Sequence, residues 1–380
     1  MSDEKTDLVA RGPVLRAPEL RPGIDAIEAY VGGKSKIAGN ADPIKLSSNE
    51  SALGPSPRAV AAYNAAAVSM HRYPDGGAIA LREAIGARHG LDPDRIICGA
   101  GSDEILGLLA RAYAGPGDEV LYSEHGFLIY PIAAHSVGAV PVAASETNLT
   151  ADVDKLLAKV TQRTKLVYIS NPNNPTGSYL SNAEMTRLRA GLADNVVLVI
   201  DAAYAEFVTA NDYEAGALLV DASVGKGDNV IMTRTFSKIY AMGGLRLGWA
   251  YAPARMIDHL NRIRMPFNVG SATQAAGIAA VEDVAYMSQA RDHNERWRVW
   301  LTGALATLHY RVAPSVGNFV LVRFADAATA EAADAFLTAR GIIVRQVPKY
   351  GLPDSLRITI GLEAEMKAVV AALADFKKGV

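Results

Sequence analysis

The sequence has little of what marks secreted, membrane-spanning or nucleic-acid-binding proteins. Its 380 residues include one cysteine, Cys98, which excludes an internal disulfide and suits a reducing compartment. No apolar run approaches the roughly 18–20 residues of a membrane span, because Asp201 and Glu206 interrupt the longest candidate, VVLVIDAAYAEFV. The opening residues MSDEKTDLVARGP lack the apolar core of a signal peptide. We therefore predict a cytoplasmic protein with no membrane partner.

Charge and metal-ligand patterns exclude two further classes of function. The net charge is −2 and there is no basic stripe, so no nucleic-acid partner is expected. The seven histidines are scattered, without a ligand spacing such as His-Glu-x-x-His, and we predict no catalytic metal. Half of the residues are apolar, which is enough for a large core spread over two or three domains.

Strand and helix patterns alternate through the middle of the chain. The apolar runs KLVYIS, VVLVID and VIMTRT begin at residues 165, 196 and 230, intervals that suit strand–helix–strand units. They predict an α/β fold in which helices cover both faces of a mostly parallel sheet. Later helices and short strands such as SLRITIG predict a smaller α/β domain. We assign residues 1–45 to an arm joining the small domain, 46–270 to a large domain and 271–380 to the small domain.

Unusual polar residues follow the carboxyl ends of the predicted strands, where α/β sheets bind their ligands. The predicted strand RIIC is followed by GAGSDE, and the predicted strand KLVYIS is followed by NPNNPTG. VVLVI is followed by Asp201, and Tyr204 lies three residues later. VIMTRTF leads into Ser237 and Lys238, and Arg246 follows. We expect these strand ends to meet in one crevice that offers an anion cradle, a carboxylate, a phenol and a lysine.

Each of these features also has a purely structural interpretation. GAGSDE could hold a phosphate at a helix N-terminus or be an ordinary capped turn. Asp201 could cap a helix or pair with a protonated ring nitrogen, and Lys238 could be a solvated surface residue or an amine nucleophile. Together the functional interpretations describe a site for a phosphorylated aromatic aldehyde with a ring nitrogen and a ring hydroxyl. Pyridoxal phosphate has these features.

Several motifs resemble those of known enzymes. SNPNNPTG, DAAYAEF and TFSKIYAMGGLRLGW resemble signatures of fold-type I pyridoxal-phosphate aminotransferases. With LSSNESALGPSP, RYPDG, GAGSDEIL and SLRITIG included, the chain most resembles the histidinol-phosphate aminotransferase family, from about residue 24 to the C-terminus. The order of the motifs is far more specific than any one of them.

The resemblance implies a role for each matching residue. Lys238 would bond to the cofactor aldehyde and move protons, Asp201 would pair with the ring nitrogen, and Tyr204 would hydrogen-bond the phenolic oxygen. The other implied cofactor contacts are Gly101, Ser102, Asp103, Phe127, Asn174, Thr235, Ser237 and Arg246, with Tyr73 reaching over from a neighbouring subunit of a homodimer. The implied substrate contacts are Tyr30, Asn49, Arg345 and Arg357. His125 could line the site or only pack beside it.

The implied reaction transfers an amino group from histidinol phosphate to 2-oxoglutarate, giving imidazole acetol phosphate and glutamate in histidine biosynthesis. PKYGLPDSLRITIG resembles a branch of the family that also accepts phenylalanine and tyrosine. An aromatic amino acid aminotransferase is therefore the second hypothesis. A threonine-phosphate decarboxylase, which shares much of this motif set, is the third. A cofactor-binding transcriptional regulator would need a DNA-binding module, for which the short and non-basic arm leaves no room.

Overall fold

The structure is a computed structural model that describes residues 18–379. The interpretation of the opening residues, and the first part of the predicted arm, therefore lie outside the described residues. Within residues 18–379, no helix is both long enough and apolar enough to cross a membrane.

The secondary structure alternates as the sequence predicts through the middle of the chain. The strands of the described part are β1 (Ile44–Lys45), β2 (Ile96–Gly99), β3 (Glu119–Ser123), β4 (Val140–Ala144), β5 (Thr164–Ser170), β6 (Val197–Asp201), β7 (Val230–Thr235), β8 (Gly248–Tyr251), β9 (Arg311–Ala313), β10 (Phe319–Arg323), β11 (Ile342–Ile343), β12 (Arg345–Val347) and β13 (Leu352–Thr359). The helices are α1 (Pro57–Ala67), α2 (Ile79–His89), α3 (Ser102–Tyr113), α4 (Ile129–Ser136), α5 (Val153–Lys159), α6 (Asn182–Gly191), α7 (Ala217–Ser223), α8 (Ala254–Ile263), α9 (Ser271–Glu282), α10 (Val284–Thr307), α11 (Ala327–Ala339) and α12 (Glu363–Gly379).

A seven-stranded sheet forms the centre of the larger unit. Its strand order is β2-β8-β7-β6-β5-β3-β4, and every neighbouring pair is parallel except the two that involve β8. The prediction of a mostly parallel sheet is confirmed, and β8 is an antiparallel insertion that the sequence analysis did not identify. The register sets Asp201 beside Ser170 on one side and Thr233 on the other, so the carboxyl ends of β5, β6 and β7 share one edge.

The central strands are mostly apolar because helices cover both faces of the sheet. Successive side chains of a strand point to opposite faces. Leu198 and Ile200 of β6 accordingly pack into one apolar core, whereas Val197 and Val199 pack into another. Every residue of β6, including Asp201, is buried, so the strand carries its one carboxyl group into the interior at its end.

The smaller unit contains a four-stranded antiparallel sheet of order β12-β13-β10-β9. Leu356 and Ile358 of β13 pack into its apolar core together with side chains of α11 and α12. Arg357 and Thr359 alternate with them and face the opposite way, as the pattern SLRITIG predicts. The N-terminal segment reaches this unit through β1, which pairs in parallel with β11.

Two details bear on the predicted boundaries of the arm and the small domain. Within the predicted arm, the segment IDAIEAY forms only a single 3₁₀ turn, Ile24–Ala26. Helix α9, which begins at Ser271, contributes Ala276 and Ala280 to the core of the large sheet. The division at residues 45 and 270 stays a prediction.

Candidate active site

A cavity of about 360 Å³ lies at the carboxyl ends of β5, β6 and β7 and is bordered by β12, β13 and the N-terminal segment. Such a crevice is the expected place for a ligand in an α/β sheet. The cavity brings together all the predicted site residues except Gly101 and Tyr73: Tyr30, Asn49, Ser102, Asp103, Phe127, Asn174, Asp201, Tyr204, Thr235, Ser237, Lys238, Arg246, Arg345 and Arg357.

One end of the cavity is a cationic cradle at the N-terminus of α3. Gly101 precedes the helix with a φ of +84°, and a Cβ added there would lie 2.4 Å from Nη2 of Arg246. That guanidinium also donates to Asp103 at 3.1 Å, and its Nη1 lies 3.4 Å from Oγ of Ser237. Free backbone N–H groups of a helix start and an arginine favour a bound phosphate. Gly101 thus borders the cradle, although it does not line the cavity itself.

Lys238 follows β7 and extends into the cavity without an acidic partner. Its Nζ lies 3.5 Å from the carbonyl oxygen of Ser48 and 5.6 Å from the centre of the Tyr204 ring. Among residues 18–379, no carboxylate lies within 4.0 Å of this amine. The amine is therefore available to a ligand that enters the cavity.

Asp201 is a buried carboxyl group without a cation. Its side chain is 3% exposed, and it accepts hydrogen bonds from Oη of Tyr130 at 2.9 Å and from Oγ1 of Thr233 at 3.1 Å. In the part of the chain that the structure describes, it forms no ion pair. Burial raises its pKa to about 6. A carboxylate in this setting is suited to a cationic ligand group that would compensate its charge.

Two donors lie ready for an oxygen atom of a ligand. The phenol of Tyr204 accepts a hydrogen bond from Nδ2 of Asn49 at 2.9 Å. Asn174 receives a hydrogen bond at its Oδ1 from Arg357, which leaves its NH₂ group free. Asn49 also lines the cavity, and its predicted contact with the substrate stays a prediction.

The guanidinium of Arg357 is buried and forms no ion pair with any residue among 18–379. Its side chain is 5% exposed, and its Nη2 donates to the carbonyl oxygen of Ser47 at 2.8 Å. Its Nε is buried and has no hydrogen-bond partner in the described part of the chain. Burial lowers the pKa of this arginine. A buried N–H group without a partner is costly, so the residue is suited to a ligand carboxylate or phosphate.

The rim of the cavity holds the remaining predicted substrate contacts. Arg345 donates to the carbonyl oxygen of Val31 at 2.8 Å, which ties β12 to the N-terminal segment. The half-exposed ring of Tyr30 meets the edge of Phe127 with 6.3 Å between centroids. Phe127 lines the cavity beneath it.

Tyr73 lies outside the cavity of its own chain. It is 83% exposed and stacks on Phe267 at a centroid distance of 4.7 Å. Its predicted contact with the cofactor phosphate of a neighbouring subunit stays a prediction.

The sequence analysis missed several side chains of the site. Tyr130 and Thr233 donate to Asp201, and the buried Tyr350 lines the cavity. His125 does not line the cavity, and its Nδ1 lies 2.6 Å from the carbonyl oxygen of Tyr350. The hydroxyl on β7 could have been found from the register of β6 and β7, whereas the two tyrosines carried no signal in the sequence.

Comparison with known proteins agrees with this geometry. The model of the family described as aminotransferase class I and II matches residues 41–373. The histidinol-phosphate aminotransferase of Paramagnetospirillum magneticum is 60% identical over 364 residues, which cover 95% of this chain and 99% of the relative. The enzyme of the same name from Rhodospirillum centenum is 58% identical, covering 96% of this chain and 100% of the relative.

Solved structures support the fold. The crystal structure of histidinol-phosphate aminotransferase from Sinorhizobium meliloti in complex with pyridoxal-5'-phosphate superposes with a TM-score of 0.87 and 28% identity, covering 96% of this chain and 99% of that one. These comparisons confirm the resemblance and the fold class predicted from the motifs. The chain belongs to the aminotransferase class I and II family.

Proposed function

We propose that this chain uses pyridoxal phosphate to transfer the amino group of histidinol phosphate to 2-oxoglutarate, giving imidazole acetol phosphate and glutamate. The observation that carries the proposal is one cavity that holds a lysine amine, a buried carboxyl group and a buried guanidinium, none of which forms an ion pair within residues 18–379. The curated relatives cited above support the choice of substrate. We place the reaction in the cytoplasm, as part of histidine biosynthesis, where the thiol of Cys98 would stay reduced.

The residues of the cavity fit pyridoxal phosphate group by group. The cradle of Gly101, Ser102, Thr235, Ser237 and Arg246 would hold the phosphate. Asp201 would meet the ring nitrogen, Asn174 and Tyr204 would meet the ring oxygen, Phe127 would stack on the ring, and Lys238 would take the aldehyde. When bound, the cofactor supplies an electron-withdrawing ring that stabilises negative charge at the substrate carbon.

The protein's own residues then control two protons. The ionised carboxylate of Asp201 keeps a proton on the ring nitrogen, and Tyr130 and Thr233 hold that carboxylate in place through their hydrogen bonds. The Nζ of Lys238 moves the second proton between the substrate carbon and the cofactor carbon. Among the described residues no carboxylate pairs with this amine, and its hydrogen bond to the carbonyl oxygen of Ser48 is long, at 3.5 Å.

Arg345 and Arg357 supply the charge for the substrates. Histidinol phosphate carries a phosphate, and 2-oxoglutarate carries two carboxylates, so both need a cationic partner. The planar fork of a guanidinium suits both anions. The Nε of Arg357, which has no hydrogen-bond partner among the described residues, would donate to such an anion.

The relative activity with two amino donors gives the direct test of this function. We expect kcat/KM for histidinol phosphate to exceed that for phenylalanine by at least about 100-fold, because a phosphate brings more negative charge to the guanidinium groups of Arg345 and Arg357 than the single carboxylate of phenylalanine does. Initial rates with 2-oxoglutarate as acceptor measure the ratio. Phenylalanine as the better donor would favour the aromatic branch, and negligible turnover of histidinol phosphate would overturn the proposal.

The setting of Asp201 predicts opposite effects of one substitution on stability and activity. The pKa of Asp201 is raised in the folded protein, so burying its ionised form costs stability above pH 6, and this cost disappears as the carboxyl becomes protonated at lower pH. Asp201→Asn should therefore stabilise the cofactor-free protein at pH 8 by about 1–3 kcal/mol. The advantage should shrink toward pH 5. Transamination should fall at least about 100-fold.

Chemical denaturation of the cofactor-free proteins at both pH values measures this difference. Asp258→Asn is the matched control, because Asp258 forms an exposed ion pair with Arg262 on α8. It should change stability by no more than about 0.5 kcal/mol. Equal destabilisation by Asp201→Asn at both pH values would contradict the account.

We propose further that the chain works as a homodimer with shared sites. Tyr73 is exposed and lies outside the cavity of its own chain, so it is free to reach a second copy. Its surroundings support an interface, because the apolar side chains of Met70 and Met265 are also largely exposed and Phe267 is partly so. Exposed apolar side chains in one region are typical of protein contacts.

Mixing two impaired variants tests the shared site. Lys238→Ala should be inactive, and Tyr73→Ala should be strongly impaired through weaker phosphate binding. In a hybrid dimer, the subunit that keeps Lys238 would receive Tyr73 from its partner, so unfolding and refolding the two variants together should restore activity. Mixtures no more active than the separate variants, with hybrids present by native mass spectrometry, would exclude a tyrosine acting between subunits.

A further inference from the structure

The phenol of Tyr204 has a protein partner that the predicted role of Asn49 does not explain. Asn49 is 1% exposed, and its Nδ2 lies 2.9 Å from Oη of Tyr204. Its φ of +53° lies in the left-handed region, which asparagine tolerates better than most residues. The backbone is anchored there, because Asn318 donates to the carbonyl oxygen of Asn49 at 2.9 Å.

Thr359 of β13 fixes the orientation of the Asn49 amide. Its Oγ1 accepts from the backbone N–H of Asn49 at 3.0 Å and lies 3.2 Å from Oδ1 of the same residue. Because the threonine hydroxyl has one proton, and the backbone N–H already approaches its lone pair, that proton is directed to Oδ1. The amide oxygen therefore faces Thr359, and the NH₂ group faces Tyr204.

This arrangement decides what the phenol of Tyr204 can do. A phenol oxygen that accepts from an amide keeps its own proton for another partner. The other side of Tyr204 faces the cavity, so the proton is directed toward a ligand there.

We propose that Asn49 is a positioning residue, which holds the Tyr204 hydroxyl as a hydrogen-bond donor to the ring oxygen of pyridoxal phosphate. The proposal rests on the function proposed above, and it replaces the predicted substrate contact of Asn49. The proposal also assigns a role to Thr359, because this residue of the small unit orients the amide of Asn49. The charged and titratable side chains that line the cavity together with this hydroxyl are Lys238, Asp201, Asp103, Arg246, Arg345, Arg357, Tyr30 and Tyr350. The amide of Asn49, by contrast, is a donor that no pH change removes.

The test compares visible spectra of cofactor-loaded proteins without substrate. A hydrogen bond to the ring oxygen stabilises the negatively charged form of that oxygen. Losing the hydrogen bond should therefore raise the midpoint, which is the pH at which the visible absorption band of the bound cofactor is half converted. We expect Tyr204→Phe to raise this midpoint by about one pH unit, the size of one hydrogen bond to a charged group. Asn49→Gly, which suits the left-handed backbone, should raise it by about half a unit or more. It should also weaken cofactor binding about three- to tenfold.

A double variant separates positioning from other effects. Asn49→Gly combined with Tyr204→Phe should have the midpoint of Tyr204→Phe alone, because Asn49 acts through the phenol. Asn148→Gly is the matched control, since Asn148 has the same φ of +53° and does not line the cavity. Its midpoint should equal that of the wild type. Thr359→Val should shift the midpoint in the same direction as Asn49→Gly, and it keeps the test available if Asn49→Gly does not fold.

Two results would overturn the inference alone. One is an unchanged midpoint in Asn49→Gly accompanied by a higher KM for histidinol phosphate, as a substrate contact would give. The other is a shift that persists in full in the Tyr204→Phe background. A wild-type protein that develops no visible band with pyridoxal phosphate would overturn the proposed function as well, so the two failures are distinguishable.

Discussion

The burial of an unpaired carboxyl group at the end of β6 is the constraint on which the site depends. Asp201 lies at the end of a strand whose residues are all buried, and its hydrogen-bond donors within the described chain are two hydroxyl groups. Hydroxyl donors compensate only part of the cost of burying a charge, as the raised pKa shows. The fold tolerates this cost because a large parallel sheet surrounds the strand. The missing compensation is a cation, which a ligand with a protonated ring nitrogen would bring.

The rest of the cavity is assembled from two units that are distant in sequence. Strand β13 of the smaller unit presents Arg357 and Thr359 on one face. Arg357 donates a hydrogen bond to Asn174 of the large unit. Thr359 donates a hydrogen bond to Asn49, and Asn49 in turn donates one to Tyr204. Both candidate donors to a ring oxygen are thus oriented through the same strand. A change in how the two units pack would alter both donors together, which links the position of the small unit to the chemistry at the sheet edge.

Sequence patterns predicted what is local or repeated, and missed what is long-range. Apolar runs at regular intervals predicted β5, β6 and β7, and the polar residues after them predicted Lys238 and Asp201. The antiparallel β8 escaped notice because a four-residue strand carries no sign of its direction. Tyr130 is 71 positions from its carboxylate partner, and Asn49 is 155 positions from Tyr204. Only folding brings such pairs together, and no spacing rule reports them.

The account's central claim is that the amine of Lys238 and the carboxyl of Asp201 hold one pyridine aldehyde between them. Peptide mass spectrometry of the cofactor-loaded protein after borohydride reduction tests this claim most directly. The account predicts a pyridoxyl group on the peptide that contains Lys238, and its loss when the sample is acidified and dialysed before reduction. A pyridoxyl group on another lysine of the wild-type protein, or on none, would contradict it.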